Sequence, residues 1–224
     1  MHIPDGFIDI PTSAAFAAIA AGAVALSLKG AKSSLYDKTA PLAGLSATFI
    51  FAVQMLNFPV AAGTSGHLLG AALATVLVGP YAATLALTIV LLLQALLFAD
   101  GGLSALGLSA FNMSIVAVWV SYAIFFTLKK ILPKTKSSTA AAAGIAALIS
   151  VPAAAASFVL QYAIGANATF SVSAVLAAMI GTHVLIGIGE ALITLFAVGA
   201  VLASRSDLVY GYTGEKASLE IRNA

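Results

Sequence analysis

What most limits the possible folds of this chain is its series of apolar stretches, several close to the roughly 20 residues a helix needs to cross a hydrocarbon core about 30 Å thick. They fall at about 12–29, 41–57, 67–79, 81–98, 109–128, 140–163 and 172–203. In lipid every backbone polar group must be paired within its own segment, so each stretch is expected to be helical. Hydrophobic residues make up 61% of the 224 and charged residues 8%, against about 25% charged in a soluble domain. Too few charges remain to coat a water-facing surface. The expected fold class is all-α, a polytopic transmembrane bundle of about seven helices, with one membrane domain over 1–203 and a tail over 204–224.

Two stretches depart from the template. The run 67–79 is short and ends at Gly79-Pro80, a helix breaker, which suits a hairpin partner that crosses only partly. The run 172–203 is long and is expected to tilt or project. Small residues let helices approach closely in lipid, as at Gly181, Gly187 and Gly189. Trp119 and the tyrosines read as packing or interfacial anchors.

Charge sets the orientation. All ten basic residues lie in three places: Lys29, Lys32 and Lys38; Lys129, Lys130, Lys134 and Lys136; and Arg205, Lys216 and Arg222. The alternate connections 58–66, 99–108 and 164–171 hold none. The positive-inside rule then puts 30–40, 129–139 and the tail in the cytoplasm and the N-terminus outside. No basic n-region precedes the first run, so no cleaved signal peptide is expected, and Met1 is read as the first residue of the mature chain.

The chemistry must come from few polar groups. There is no cysteine, so any metal is held by nitrogen or oxygen. No HExxH, GxSxG, P-loop or GxGxxG is present, so the chain reads as a non-enzyme that draws energy for transport from partners or an ion gradient. A histidine at position 2 lets the α-amine, the amide nitrogen of residue 2 and the imidazole close adjacent chelate rings on one ion. That near-planar set suits Ni(II) and Cu(II), and also Co(II). Pro4-Asp5-Gly6 is a turn signal that can fold segment 1–11 back onto the protein. His67, after Gly63-Thr64-Ser65-Gly66 at the outer start of a helix, can supply a fourth nitrogen. The metal-site residues are thus Met1, His2 and His67, with Ser65, Asp100 and Asn112 as candidates for orienting hydrogen bonds. Asp100-Gly101-Gly102 reads as an outer turn.

His183 and Glu190, seven residues apart, face nearly the same way on one helix. Intramembrane ionisable groups are costly and are candidates for function. Their structural reading is a hydrogen bond each to Gln54, Gln94 or a backbone carbonyl of a neighbouring helix. Their functional readings are a proton relay in a proton-coupled secondary metal transporter, or the base and acid of an intramembrane enzyme that lacks any recognisable nucleophile beside them.

Met1-His-Ile-Pro-Asp-Gly-Phe7, Asn57-Phe-Pro-Val60, Gly63-Thr-Ser-Gly-His-Leu-Leu-Gly70, Gln94-Ala-Leu-Leu-Phe-Ala-Asp-Gly-Gly-Leu103, Phe111-Asn-Met113 and Thr182-His-Val-Leu-Ile-Gly-Ile-Gly-Glu190 closely resemble the CbiM/NikM family, from residue 1 to about 200. The resemblance implies the substrate-capture (S) component of an energy-coupling factor (ECF) transporter in a prokaryotic inner membrane. Such a component imports Co2+ or Ni2+, feeding cobalamin synthesis if the ion is cobalt. It works with a transmembrane coupling subunit of CbiQ type and cytoplasmic ABC ATPases of CbiO type. It further implies that nitrogens of Met1, His2 and His67 hold the transported ion, with no permanently bound cofactor. Where the family commonly has Asn before Phe-Asn-Met, this chain reads Leu108-Ser109, which weakens the expected ordering of a loop over the metal. The end at Ala224, without the appended region of some nickel-type fusions, points to a separate CbiN-type small membrane partner and towards cobalt.

Overall fold

A computed structural model describes residues 1–32, 39–60, 64–212 and 214; Lys38, Gly63, Lys216 and Arg222 lie outside the described residues. The chain forms α1 (Ile10–Lys32), α2 (Thr39–Gln54), β1 (Phe58–Val60), β2 (Thr64–Gly66), α3 (Ala71–Leu97), α4 (Leu106–Ala110), α5 (Ala117–Ile131), α6 (Lys136–Gly165) and α7 (Val172–Ser204). A π-helical turn, Phe111–Val116, joins α4 to α5 without interruption, and a short 3-10 turn, Ser206–Leu208, comes after α7. Among the described residues five helices are long and apolar enough to cross a membrane: Ile10–Lys32, Ala71–Leu97, Leu106–Ile131, Lys136–Gly165 and Val172–Ser204; the shorter α2 is also apolar. Large apolar side chains such as Leu45 and Phe49 on α2 and Leu185, Leu192 and Phe196 on α7 point outward. An exposed apolar coat of this kind suits lipid.

Helix boundaries follow local polar signals more than the apolar runs. Asp9 opens α1 by accepting from the Thr12 N–H at 2.8 Å, ahead of the expected start at 12. Thr135 accepts from Ser138 N–H, so Lys136 begins α6 where a loop was expected to continue to 139. Ser171 caps α7 in the same way through Ala174 N–H. Of the three glycines expected to let helices approach closely, only Gly187 does so: a side chain there would meet Leu148 O at 3.1 Å, whereas Gly181 and Gly189 face open space. Gly144, unremarked in the sequence, makes the matching approach to Ala191 O on the α6–α7 seam.

The expected runs 67–79 and 81–98 form the one long element α3, but not a straight one. Gly79 sits at φ 81°, ψ 165°, a region essentially reserved for glycine, and Pro80 comes next. Before the break His67 lies against Met1; after it Asp100 lies against His2. At the break itself the Tyr210 ring fills the space beside Gly79, Tyr210 N–H donates to the Val76 carbonyl at 2.8 Å, and Tyr81 packs over Gly30. A straight 27-residue helix would be about 40 Å long and could not return both ends to the first two residues. The chain therefore doubles back at Gly79.

Two ends of the bundle result. One gathers the break, residues 205–212 and the ends of α1 and α5; there Tyr81, Trp119, Tyr122, Phe126 and Tyr210 form a chain of edge and tilted ring contacts, and Lys129 donates to the Gly211 carbonyl. The other gathers residues 1–9, the β1–β2 ribbon, the loop after α3 and the α6–α7 link. In the ribbon, expected only as a loop, Phe58 pairs with Gly66 and Val60 with Thr64. Gly79→Ala is expected to lower unfolding stability by about 1–3 kcal/mol, read as a drop in Tm of the detergent-purified protein, while Gly22→Ala, in open space within α1, changes it by less than about 1 kcal/mol.

Candidate metal centre

The N-terminal segment is built to be buried. Asp5 and Gly6 make the expected turn, with Gly6 at φ 75° and Phe7 N–H donating to the Pro4 carbonyl at 3.3 Å. Phe7 is anchored among Phe158, Tyr162 and Phe170, with ring centroids 5.1 to 6.4 Å away. Asn167 N–H donates to the Phe7 carbonyl, and Asp9 N–H to the Gly165 carbonyl. On the other side the loop after α3 wraps the segment. Gly102 N–H donates to the Ile3 carbonyl, and Ser104 donates from its amide and hydroxyl to the Asp5 carboxylate, holding that carboxyl below its ordinary range. Ser109 on α4 accepts from Ile3 N–H at 3.3 Å. The position that departs from the family pattern thus grips the terminus directly.

These ties bring Met1, His2 and His67 together. The Met1 amine nitrogen lies 2.7 Å from His67 Nε2, and the His2 and His67 rings are 4.8 Å apart at 34°. Met1 and His67 have no solvent exposure and His2 has 4%. His67 Nδ1 lies 2.9 Å from the Leu68 carbonyl, which can only accept, so Nδ1 carries the proton and Nε2 keeps its lone pair. That carbonyl, rather than Ser65, takes the far nitrogen of His67. His2 Nε2 lies 3.5 Å from Asp100 Oδ2, near the carboxylate but without a hydrogen bond. Asn57 donates to the same carboxylate oxygen at 3.1 Å. His67 lies in an extended link before α3, which starts at Ala71, and not at the start of a helix as expected.

The remaining candidates are placed otherwise. Ser65 sits in β2. Asn112 is drawn into a buried cluster within the π-helical turn, donating to Gln161 and accepting from Ser157. His183 Nδ1 donates to the Met179 carbonyl of its own helix at 2.7 Å. Glu190 accepts from Leu69 and Gly70 N–H at 2.7 and 2.9 Å, and Gln54 donates to the Leu69 carbonyl at 2.8 Å. The carboxylate considered for a proton relay or an acid is thus engaged by two backbone amides. Ser104, which holds the Asp5 carboxylate, carries no motif that would have singled it out; Ser109 and Gln54, both named in the sequence for other roles, act on the backbone of Ile3 and Leu69.

Chemically, the centre offers neutral nitrogen. Burial pushes the Met1 amine down from 8.0 to about 4 against the opposing pull of Asp100, and pushes His2 to about 3 and His67 well below its usual value. Two nitrogens about 2.0 Å from one ion at right angles are about 2.8 Å apart, close to the amine–imidazole separation found here.

Residues 2–208 match the family described as the cobalt uptake substrate-specific transmembrane region, CbiM. The chain belongs to the CbiM family. Among relatives of this CbiM-family protein, one from Archaeoglobus fulgidus bears the name of a fused nickel transport protein, NikMN, and is 36% identical over 209 residues, 93% of this chain and 68% of its own length. A cobalt transport protein, CbiM, from Kyrpidia tusciae is 35% identical over 132 residues, 58% of this chain and 53% of its own. The crystal structure of a truncated transition metal transporter superimposes with a TM-score of 0.82 at 31% identity, covering 91% of this chain and 99% of the other. The membrane-length helices and this likeness make the CbiM-family chain a multi-pass membrane protein.

The lowered amine and imidazole values fix the expected pH dependence. These bases are already unprotonated at pH 7 in the docked segment, so the planar chelate needs the loss of only the His2 amide proton. Ni2+ affinity should rise by about tenfold per pH unit between pH 6 and 8, with about one proton released, measured by calorimetry in buffers of differing ionisation heat. Docking of the neutral amine contributes fully above pH 8 and erodes as pH falls from 8 towards about 4, so binding falls off more steeply on the acid side.

Proposed function

We propose that this chain is the substrate-capture subunit of an ECF-type importer of Co2+ or Ni2+, driven by ATP hydrolysis in partner proteins. The observation that carries this reading is the approach of the Met1 amine to within 2.7 Å of His67 Nε2, with His2 beside both and all three buried. The transported ion exchanges its hydration shell for the amine of Met1, the amide and imidazole nitrogens of His2, and His67 Nε2. The loop carrying Asp100 to Ser104 covers it, and Asp100 holds the far side of the His2 ring.

In this reading the Met1 end faces outward and the lysine-rich end, with Lys29, Lys129 and Lys130, faces the cytoplasm, the hairpin at Gly79 giving a seven-rod bundle. The coupling subunit is of CbiQ type and the ATPases are of CbiO type. A CbiN-type small membrane subunit completes the complex, a reading supported by the fused nature of the Archaeoglobus relative. The donor set serves cobalt and nickel alike, because both accept tetragonal nitrogen coordination.

Equilibrium dialysis of the purified protein with Co2+ and Ni2+ tests the ligands. His2→Ala and His67→Ala should each abolish retention at micromolar ion, and one residue added before Met1 should do the same by replacing the amine with an amide. Undiminished binding in the extended variant would remove the amine from the site.

A further inference from the structure

Four residues, 67–70, connect the β1–β2 ribbon to α3, and their backbone is held from two directions. The Leu68 carbonyl accepts from His67 Nδ1, the Leu69 carbonyl from Gln54 on α2, and the Leu69 and Gly70 N–H groups both donate to the Glu190 carboxylate on α7. Glu190 is 2% exposed and sits 121 residues from Leu69. Gly70 is left-handed at φ 74°, and a side chain there would run into Ile50, so the link has little freedom to find another path. No side chain of α3's own caps its start. The carboxyl group that meets the two amides just before the helix comes from another helix.

We infer that Glu190 is a positioning residue for metal capture, fixing the direction of His67 through the Leu69 and Gly70 amides. This rests on His67 being a ligand, as proposed above. Two amides shared by one carboxylate set the height and the roll of the link, and the His67 ring leaves the chain two residues earlier. Its own Nδ1 is tied to the Leu68 carbonyl, so a rotation of the link turns the ring with it and swings Nε2 away from the Met1 amine. Glutamine at 190 retains one acceptor oxygen but presents an amide NH2 to the second N–H, setting donor against donor. The same link makes α7 a lever: displacing it relative to α3 withdraws His67 from the ion.

The test uses the purified full chain with Ni2+ alone, raised into the millimolar range where His67→Ala still binds through the nitrogens of Met1 and His2, and is read by equilibrium dialysis and by the visible absorption band of nitrogen-bound Ni2+. Glu190→Gln is expected to weaken binding by 10- to 100-fold and to move the band towards that of His67→Ala. The double variant is expected to bind no more weakly than His67→Ala alone, because both losses pass through one ring. Glu190→Asp, which keeps the carboxylate but sets it back by one methylene, is expected to fall between wild type and Glu190→Gln, and it carries the test if the glutamine variant does not fold. Wild-type affinity and band in both Glu190 variants, or losses that add to that of His67→Ala, would overturn the inference while leaving the ligand assignment intact. Full Ni2+ binding by His67→Ala would instead remove the ligand assignment, and this inference with it.

Discussion

An uncharged amine, buried where a charged one would be penalised by roughly 5 kcal/mol, is the constraint on which the N-terminal end of this bundle depends. Fully withdrawn from solvent beside His67, the Met1 nitrogen is held as a lone pair and not as an ammonium. The neighbourhood is arranged to tolerate that burial. Phe7 anchors the segment in an aromatic pocket, and the loop after α3 binds its backbone at Ile3 and its carboxylate at Asp5. Ser109 takes the amide of Ile3. A terminus is ordinarily the least ordered part of a domain; here it is tied on three sides.

The rest of the bundle supplies the frame. The reversal at Gly79 lets one element deliver His67 on its way in and Asp100 on its way back, so both imidazoles meet their partners from a single hairpin. The seam of α6 and α7 at Gly144 and Gly187 sets α7 close enough for Glu190 to reach across to the start of α3. The first sets His67 and Asp100 at one end of the bundle, and the second, without reaching Met1 or His2 itself, fixes the link from which His67 projects.

Much of this is legible from residue order alone. The apolar runs foretell the helices, Gly79-Pro80 foretells the break, and Pro4-Asp5-Gly6 the fold-back of the terminus. Met1, His2 and His67 stand out as a set, and the structure brings those three together. The features that residue order hides share one cause. Ser109, Gln54 and Glu190 hydrogen-bond to backbone groups far away in the chain, and Ser104 offers its own amide to the Asp5 carboxylate; a backbone group leaves no mark in the sequence to say which side chain will find it. The ribbon's strands are three residues each, too short for an alternating pattern to declare itself. Asn112 groups with the site by sequence, but it lies inside the π-helical turn and is taken up by Gln161 and Ser157 on α6. Ser109, before the turn, meets the terminus, while Asn112 meets α6.

The seating of the first nine residues carries a consequence for the order in which the protein assembles. Met1 to Asp9 leave the ribosome before the residues they bind, since their partners are His67, Gly102, Ser109, Gly165 and Asn167, and the link that carries His67 waits for Glu190. Contacts so distant in sequence cannot form until nearly the whole chain has been made. A segment made before all of its partners is thus placed only once they exist, and the nitrogen cluster waits for the link at 67–70 to meet α7.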